Sequence, residues 1–316
     1  MKRKFNIFLA NPRGFCAGVV RAIEIVNKAI DRYGAPVYVR HEIVHNKRVI
    51  ENLRARGAVF VKELKDIPDG AVTVFSAHGV SEAIEKNANE RGLPVIDATC
   101  PLVTKVHIEG RRHADQGLEV VMIGHNGHPE VEGTRGRIPG GVQVISSSEE
   151  VLSLKVHDSK KLAFVTQTTL SVDDTSNIIN SLRKRFPDIQ GPDLKDICYA
   201  TQNRQQSVRD LCGHIDLLLV VGAQNSSNSN RLKEIGDEMQ VESYLIDDVD
   251  ALNEEWLDGV SSIGVTAGAS APEVLVEELL ARLGALGELR IKENSFTIEN
   301  TYFKLPKILR EPIDGQ

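Results

Sequence analysis

No stretch of this 316-residue sequence approaches the roughly 18 consecutive apolar residues that would cross a bilayer, so no membrane span is expected. The opening MKRKFNIFLANPRG sets Lys and Arg before apolar residues, but Asn6 interrupts the run and Asn11-Pro12-Arg13 ends it. That is too short for a secretory core of about 7–15 apolar residues and has no small-residue cleavage site, so it reads as a first strand. Positive charge is also in short supply. Lys and Arg number 38 against 44 Asp and Glu, a net charge of -6, which argues against a general nucleic-acid binder. Cysteine is scarce, at four residues, with neither a C-x-x-C pair nor the local runs of a ferredoxin. With no export signal the expected location is cytoplasmic, where disulfides are rare, so these thiols should be metal ligands or core residues. Low-complexity tracts are absent.

What remains is an ordinary globular composition, 41% hydrophobic and 26% charged, long enough for two or three compact units. Short apolar segments alternate with amphipathic ones. Strands are expected at residues 5–10, 37–40, 72–76, 120–124, 162–166, 217–222 and 262–266. Several are nearly all apolar, as strands buried on both faces of a parallel sheet are. A helix after Cys16 turns Val19, Ile23, Val26, Ile30 and Tyr33 to one side and stops at Gly34. A second opens at Ser171 with Asp174 three residues on and carries Ile178, Ile179, Leu182 and Phe186 inward. A third opens at Ser270 with Glu273 and runs through Val274, Leu275, Leu279 and Leu283. The expected fold class is therefore α/β with parallel strands.

A weak internal repeat runs through the chain. Cys16, Cys100 and Cys198 each stand where a strand or loop gives way to a helix, and Pro101 suits a first helical turn. Three units of similar size, each offering one Cys at a helix start, suggest a pseudo-threefold arrangement. The divisions expected are residues 1–99, 100–197 and 198–285, with 286–316 an extended tail that has no unit of its own. Helix N-termini favour thiolates, which bind metal, and three would leave a fourth coordination position open. A single cysteine is more often a small buried hydrophobe. Three at matched positions weigh against that. Cys212, on a helical stretch with no sister position, reads as structural.

A second set of residues follows the strands. After 72–76 comes His78; after 120–124 come His125, His128 and Glu130; after 162–166 comes Thr168. After 217–222 come Ser226, Ser227 and Asn228, after 262–266 comes Ser270, and His45 opens a helix after 37–40. Ligands bind at the carboxyl ends of strands in open α/β sheets. Ser270 also reads as an N-cap, and Ser226 could be loop or cap. Histidines at three such ends favour a shared anion site. Glu130, two residues past His128, is a candidate proton donor or an ordinary surface carboxylate.

These residues resemble the 4-hydroxy-3-methylbut-2-enyl diphosphate (HMBPP) reductase family. The resemblance lies in residues 9–18, 39–46, 75–80, 97–107, 124–134, 166–175, 196–201, 225–231 and 265–272, in the family's order. It implies three α/β units around a central 4Fe–4S cluster, one per chain, held by Cys16, Cys100 and Cys198. It implies that His45, His78, His128, Thr168, Ser226, Ser227, Asn228 and Ser270 contact a diphosphate substrate. Glu130 is then the proton donor, with Thr168 near the substrate hydroxyl. The implied reaction is reductive dehydroxylation to isopentenyl and dimethylallyl diphosphate, with a flavodoxin or ferredoxin as electron donor. Three other readings of the residues compete with this one. A metal-dependent hydrolase would use His125, His128 and Glu130; an iron–sulfur redox sensor would need the thiols alone; a cluster-dependent hydratase would use an open iron without net electron transfer.

Overall fold

Twelve strands and eleven α-helices carry the residues described in the computed structural model, which are 3–192, 197–293 and 297–310. Asp196, in the stretch around the third cysteine, and Phe296, in the expected tail, lie outside them. In chain order the elements begin β1 (Arg3–Leu9), α1 (Ala17–Tyr33), β2 (Val37–Arg40), α2 (Lys47–Ala55), β3 (Ala58–Val61) and β4 (Thr73–Phe75). Then come α3 (Glu82–Glu90), β5 (Val95–Asp97), α4 (Pro101–Asp115), β6 (Glu119–Ile123), α5 (Pro129–Arg135) and β7 (Val142–Ile145). Next are α6 (Ser148–Ser153), β8 (Leu162–Thr166), α7 (Val172–Arg185), α8 (Tyr199–Cys212), β9 (Leu217–Val221) and α9 (Ser227–Glu238). The last are β10 (Glu242–Ile246), β11 (Ser262–Ala267), α10 (Glu273–Leu286), β12 (Gly287–Glu293) and α11 (Lys307–Arg310). Among the described residues no helix is long and apolar enough to cross a membrane.

The strands form three separate sheets, and every pairing within them is parallel. The architecture is α/β and multi-domain. The chain divides into two compact units.

The first unit comprises Met1–Ala17, His45–Val49 and Tyr199–Tyr302. Its sheet runs β10-β9-β11-β1-β12. Strand β9 shows why an all-apolar strand belongs here. Leu217, Leu219 and Val221 pack with Leu275, Leu279 and Leu283 of α10. Leu218 and Val220 face the opposite way, onto Val208 and Leu211 of α8 and Leu232 and Ile235 of α9. Both faces of the sheet are covered, and each such side chain contributes about 1.5–3 kcal/mol on burial.

The second unit comprises Gly18–Val44, Ile50–Cys198 and Phe303–Gln316 and holds the other two sheets. One runs β3-β2-β4-β5, with Phe75 against Ala88 of α3. The other runs β7-β6-β8, sandwiched between α7, through Ile178, Ile179 and Leu182, and α4 and α5, through Val106 and Val131.

The expected strands are all present, and five more join them: β3, β5, β7, β10 and β12. Three expectations are corrected. Strand β1, assigned with residues 1–99, instead hydrogen-bonds between β11 and β12, because strand order in a parallel sheet is not written in local sequence. Residues 287–293, assigned to a tail, are an edge strand of that sheet. Helix α1 buries Val19, Val26 and Ile30 of the expected stripe, together with Ala22, Ile25 and Ala29, but leaves Tyr33 41% exposed.

Candidate functional site

The strand ends of each unit carry a group of polar side chains. In the second unit β6 and β8 are parallel neighbours, so the loops after Ile123 and Thr166 leave the same sheet edge. Pro129 fixes the first turn of α5, and His128 caps it: Nδ1 accepts from the Glu130 amide at 3.2 Å. This turns the Glu130 side chain inward, where it is 2% exposed. Its carboxylate accepts from the Thr168 amide at 2.7 Å and from the Thr168 hydroxyl at 2.8 Å. The surface-carboxylate reading of Glu130 is therefore wrong.

His78 follows β4, its Nδ1 3.3 Å from the Ser76 hydroxyl, and its ring meets that of His128 edge-on at 5.8 Å. Gly79 beside it has a φ of 80°, and a Cβ there would fall 2.7 Å from Cε1 of His107. His107, on α4, is buried, and burial above all, with Arg137 also opposing a charge, pushes its pKa down to about 4. It is a neutral imidazole wedged behind the His78 loop. Cys100 is the N-cap residue of α4 with Pro101 at the first turn, as expected, and its amide donates to Ala77 O at 3.0 Å. A cavity of about 580 Å³ opens beside it, lined in part by Arg21, Asp97, Thr99, Pro101 and Lys105; none of the expected substrate contacts lines it.

Two residues of this group were missed. Gln167 is fully buried and spans the loops: Oε1 accepts from the His125 amide at 3.0 Å while Nε2 donates to the Thr169 hydroxyl at 3.0 Å. The signal available was a long amide directly after an all-apolar strand. His107 carried no signal, because its role depends on which loop the helix packs against.

In the first unit β1, β9 and β11 are parallel neighbours. Ser226 caps α9, its hydroxyl accepting from the Ser229 amide at 3.3 Å and from the Ser229 hydroxyl at 3.0 Å. Ser229, fully buried, was also missed; Gly222 and Gly268 leave it room, since a Cβ on either would stand 2.2 or 2.0 Å from its Oγ. Ser227 opens the helix. Asn228 Oδ1 accepts from the Ala269 amide at 2.8 Å, while its buried Nδ2 has no hydrogen-bonding partner among the described residues. Ser270 is not an N-cap: α10 begins after Pro272, and the Ser270 hydroxyl donates to the His45 carbonyl at 2.9 Å. His45 stands two residues before α2, whose cap is the Asn46 side chain accepting from the Val49 amide at 3.1 Å. Cys16 directly precedes α1, and its amide donates to Ala269 O at 3.2 Å.

All four cysteines are free thiols. Cys16, Cys100 and Cys198 are half-buried and directly precede helices, Cys198 standing before α8. Cys212 closes α8, buried, with its thiol pushed up to about 11 by desolvation. Its neutral, enclosed sulfur suits a structural role. Among the described residues no group of three or more His, Cys, Asp or Glu stands together as a ready metal site.

Comparison with known proteins places these features in a family. The LytB protein family pattern matches residues 7–284. A 4-hydroxy-3-methylbut-2-enyl diphosphate reductase of Zymomonas mobilis is 58% identical over 305 residues, 96% of this chain and 90% of that one. A protein of Bradyrhizobium diazoefficiens with the same name, numbered 2, is 58% identical over 95% of this chain and 98% of its own. Among solved structures, the E-1-hydroxy-2-methyl-but-2-enyl-4-diphosphate reductase of Plasmodium falciparum superposes with a TM-score of 0.91 at 37% identity, covering 98% of this chain and 97% of that one.

Proposed function

The chain belongs to the LytB protein family, and from that premise we propose that it is a 4-hydroxy-3-methylbut-2-enyl diphosphate reductase. It breaks the allylic C–O bond, adds two electrons and two protons, and releases water with isopentenyl or dimethylallyl diphosphate. The observation that carries the reading is the buried Glu130–Thr168 pair at the strand edge shared with His128, a proton path with no structural need to be there.

The family implies an iron–sulfur cofactor, and the donor set suits one: three half-buried free thiols, each directly before a helix where the dipole favours thiolate. Cys16, Cys100 and Cys198 would hold a 4Fe–4S cluster, one per chain. When bound, the cluster supplies the two electrons and an open iron that polarises the departing hydroxyl.

The protein's own groups do the rest. The Thr168 hydroxyl, which here donates to the Glu130 carboxylate at 2.8 Å, turns to pass its proton to the substrate oxygen, and Glu130, having taken up a proton, replaces it at Oγ1. His45, His78, His128, Ser226, Ser227, Asn228 and Ser270 hold the diphosphate, each charge-assisted bond contributing about 1.5–3 kcal/mol. The buried Nδ2 of Asn228 supports this, since a donor without a partner among the described residues is one an anion would satisfy.

Three separate parallel sheets support the finer arrangement of three α/β units in pseudo-threefold order about the cluster, divided near residues 99 and 197 save that β1 joins the sheet of the third. A flavodoxin or ferredoxin delivers the electrons, and the four free thiols support a cytoplasmic setting.

The test is turnover of HMBPP by the anaerobically reconstituted chain with reduced methyl viologen as donor. Formation of the two diphosphate products is expected. A chain with full iron and sulfide that leaves the substrate intact would overturn the reading.

A further inference from the structure

Arg204 is fully buried, yet it is a permanent cation on the inward face of α8. Its counter-ion is Glu299, whose carboxylate accepts from Nη1 at 3.0 and 3.3 Å and from Nη2 at 3.2 Å. Asn203 Nδ2 donates to the same carboxylate at 3.0 Å. A buried ion pair is a poor source of stability, because desolvation cancels most of its attraction and apolar residues of like volume serve as well. The pair therefore calls for another account.

The remaining bonds of the guanidinium supply one. Nε and Nη2 donate to Gly14 O at 3.0 and 2.8 Å, and Nη2 also to Phe15 O at 3.3 Å. Nη1 donates to Ala200 O at 3.0 Å, in the first turn of α8. Phe15 O belongs to the peptide bond whose N–H is that of Cys16, and that N–H donates to Ala269 O at 3.2 Å. The Phe15–Cys16 peptide is thus pinned at both ends. On the other side of Cys16, the Tyr199 hydroxyl bonds the Ala17 backbone and the Thr301 side chain. Upstream, Ser207 brackets Asn11, accepting from its amide at 3.1 Å and donating to its carbonyl at 3.2 Å. Gly14 permits the turn, with a φ of 67° and Ala271 O only 3.2 Å from where a Cβ would be. Among the described residues the backbone around Cys16 is thus held from α8, Ala269 and Thr301, and the Gly14 amide adds a bond to Ala267 O at 3.0 Å, at the end of β11.

We infer that Arg204 is a positioning residue for Cys16, and that Glu299, as its counter-ion, makes the 297–302 segment a working part of the metal site. Arg204 aims the thiol by fixing the peptide before it, and it can sit in the core only while Glu299 neutralises it. The inference rests on the cluster ligation proposed above, but the thiol's placement is measurable without metal.

Two full-length variants test it, Glu299→Gln and Arg204→Lys, with Glu299→Asp as the conservative partner. In cluster-free protein, alkylation of Cys16 by iodoacetamide is followed site by site by mass spectrometry, with Cys212, buried in the same unit, as the internal control. Glu299→Gln and Arg204→Lys are expected to speed Cys16 alkylation about tenfold by freeing its loop, with Cys212 unchanged and Glu299→Asp nearer wild type. In reconstituted protein, iron loss to a chelator should quicken to a similar degree. Cys16 alkylation within about twofold of wild type in both variants would overturn the inference, and so would equal acceleration of Cys212, which marks general loosening. A wild-type chain that takes up no iron would defeat the cluster reading while leaving the alkylation result to stand for Arg204.

Discussion

Replacing Glu130 by Gln tests the proposed chemistry most sharply, because the structure fixes what the amide can do. Both carboxylate oxygens now accept from Thr168, one from an amide that can only donate and one from a hydroxyl that can rotate. A glutamine can keep its oxygen on the Thr168 amide, but its NH₂ must then face Thr168 Oγ1. The hydroxyl can meet it only by becoming the acceptor. Packing and fold should survive, at the loss of one bond to a charged group, about 1.5–3 kcal/mol. The side chain can no longer supply a proton to Oγ1, and a general acid's removal costs about 10²–10⁴ in turnover. The expected outcome is a kcat down by that factor with KM little changed. Thr168→Val, which removes the relay atom while keeping the shape, should fall into the same range. The assay is anaerobic turnover with reduced methyl viologen, beside iron content and thermal denaturation. Turnover within about threefold of wild type in Glu130→Gln, at full cluster loading, would refute the proton path.

Other perturbations probe other parts of the fold. Cys100→Ser should lose or damage the cluster by iron and sulfide assay, whereas Cys212→Ser should keep it. Gly79→Ala forces a Cβ into the left-handed region and onto the His107 ring, costing about 1–3 kcal/mol in denaturant unfolding. It should also raise KM by displacing His78. His107 stays neutral in the fold, with a pKa of about 4 against an ordinary 6.5. Between those values the unfolded chain binds a proton that the folded chain does not. Stability should therefore rise by roughly 3 kcal/mol from pH 4 to 6.5, and His107→Gln should flatten that slope in urea titrations of cluster-free protein.

How much of this was legible in the sequence depends on where each feature is encoded. Strands such as 162–166 and 217–221 announce themselves because burial on both faces demands an unbroken apolar run. The edge strands β7 and β12 do not, since GELRIKE keeps one face in solvent and has little to distinguish it from a loop. The cysteines could be placed at helix starts from local pattern alone, and Ser171 could be recognised as a cap. The S-x-x-E pattern at Ser270 misled, because Pro272 moves the helix start downstream and frees the hydroxyl for His45. Glu130 shows the limit most clearly. Its position after His128 marked it as a candidate, but its buried partner Thr168 is 38 residues away, in the loop after a neighbouring strand. Arg204 and Glu299 lie beyond any local pattern, as a charge on a helix and a charge in an extended tail.

The place of β1 has a consequence for how the molecule is made. Its partners, residues 262–265 and 287–293, leave the ribosome long after it. At roughly 5–20 residues per second, Phe5, Ile7 and Leu9 wait on the order of fifteen seconds to a minute for a sheet to enter. Through that interval the nascent chain carries an apolar ribbon with open hydrogen-bonding edges, the kind of surface chaperones hold. The N-terminal strand also closes the order of assembly, so a chain stopped anywhere before β11 leaves it without a home. The first-made strand of this sheet is the one that must wait longest for its neighbours.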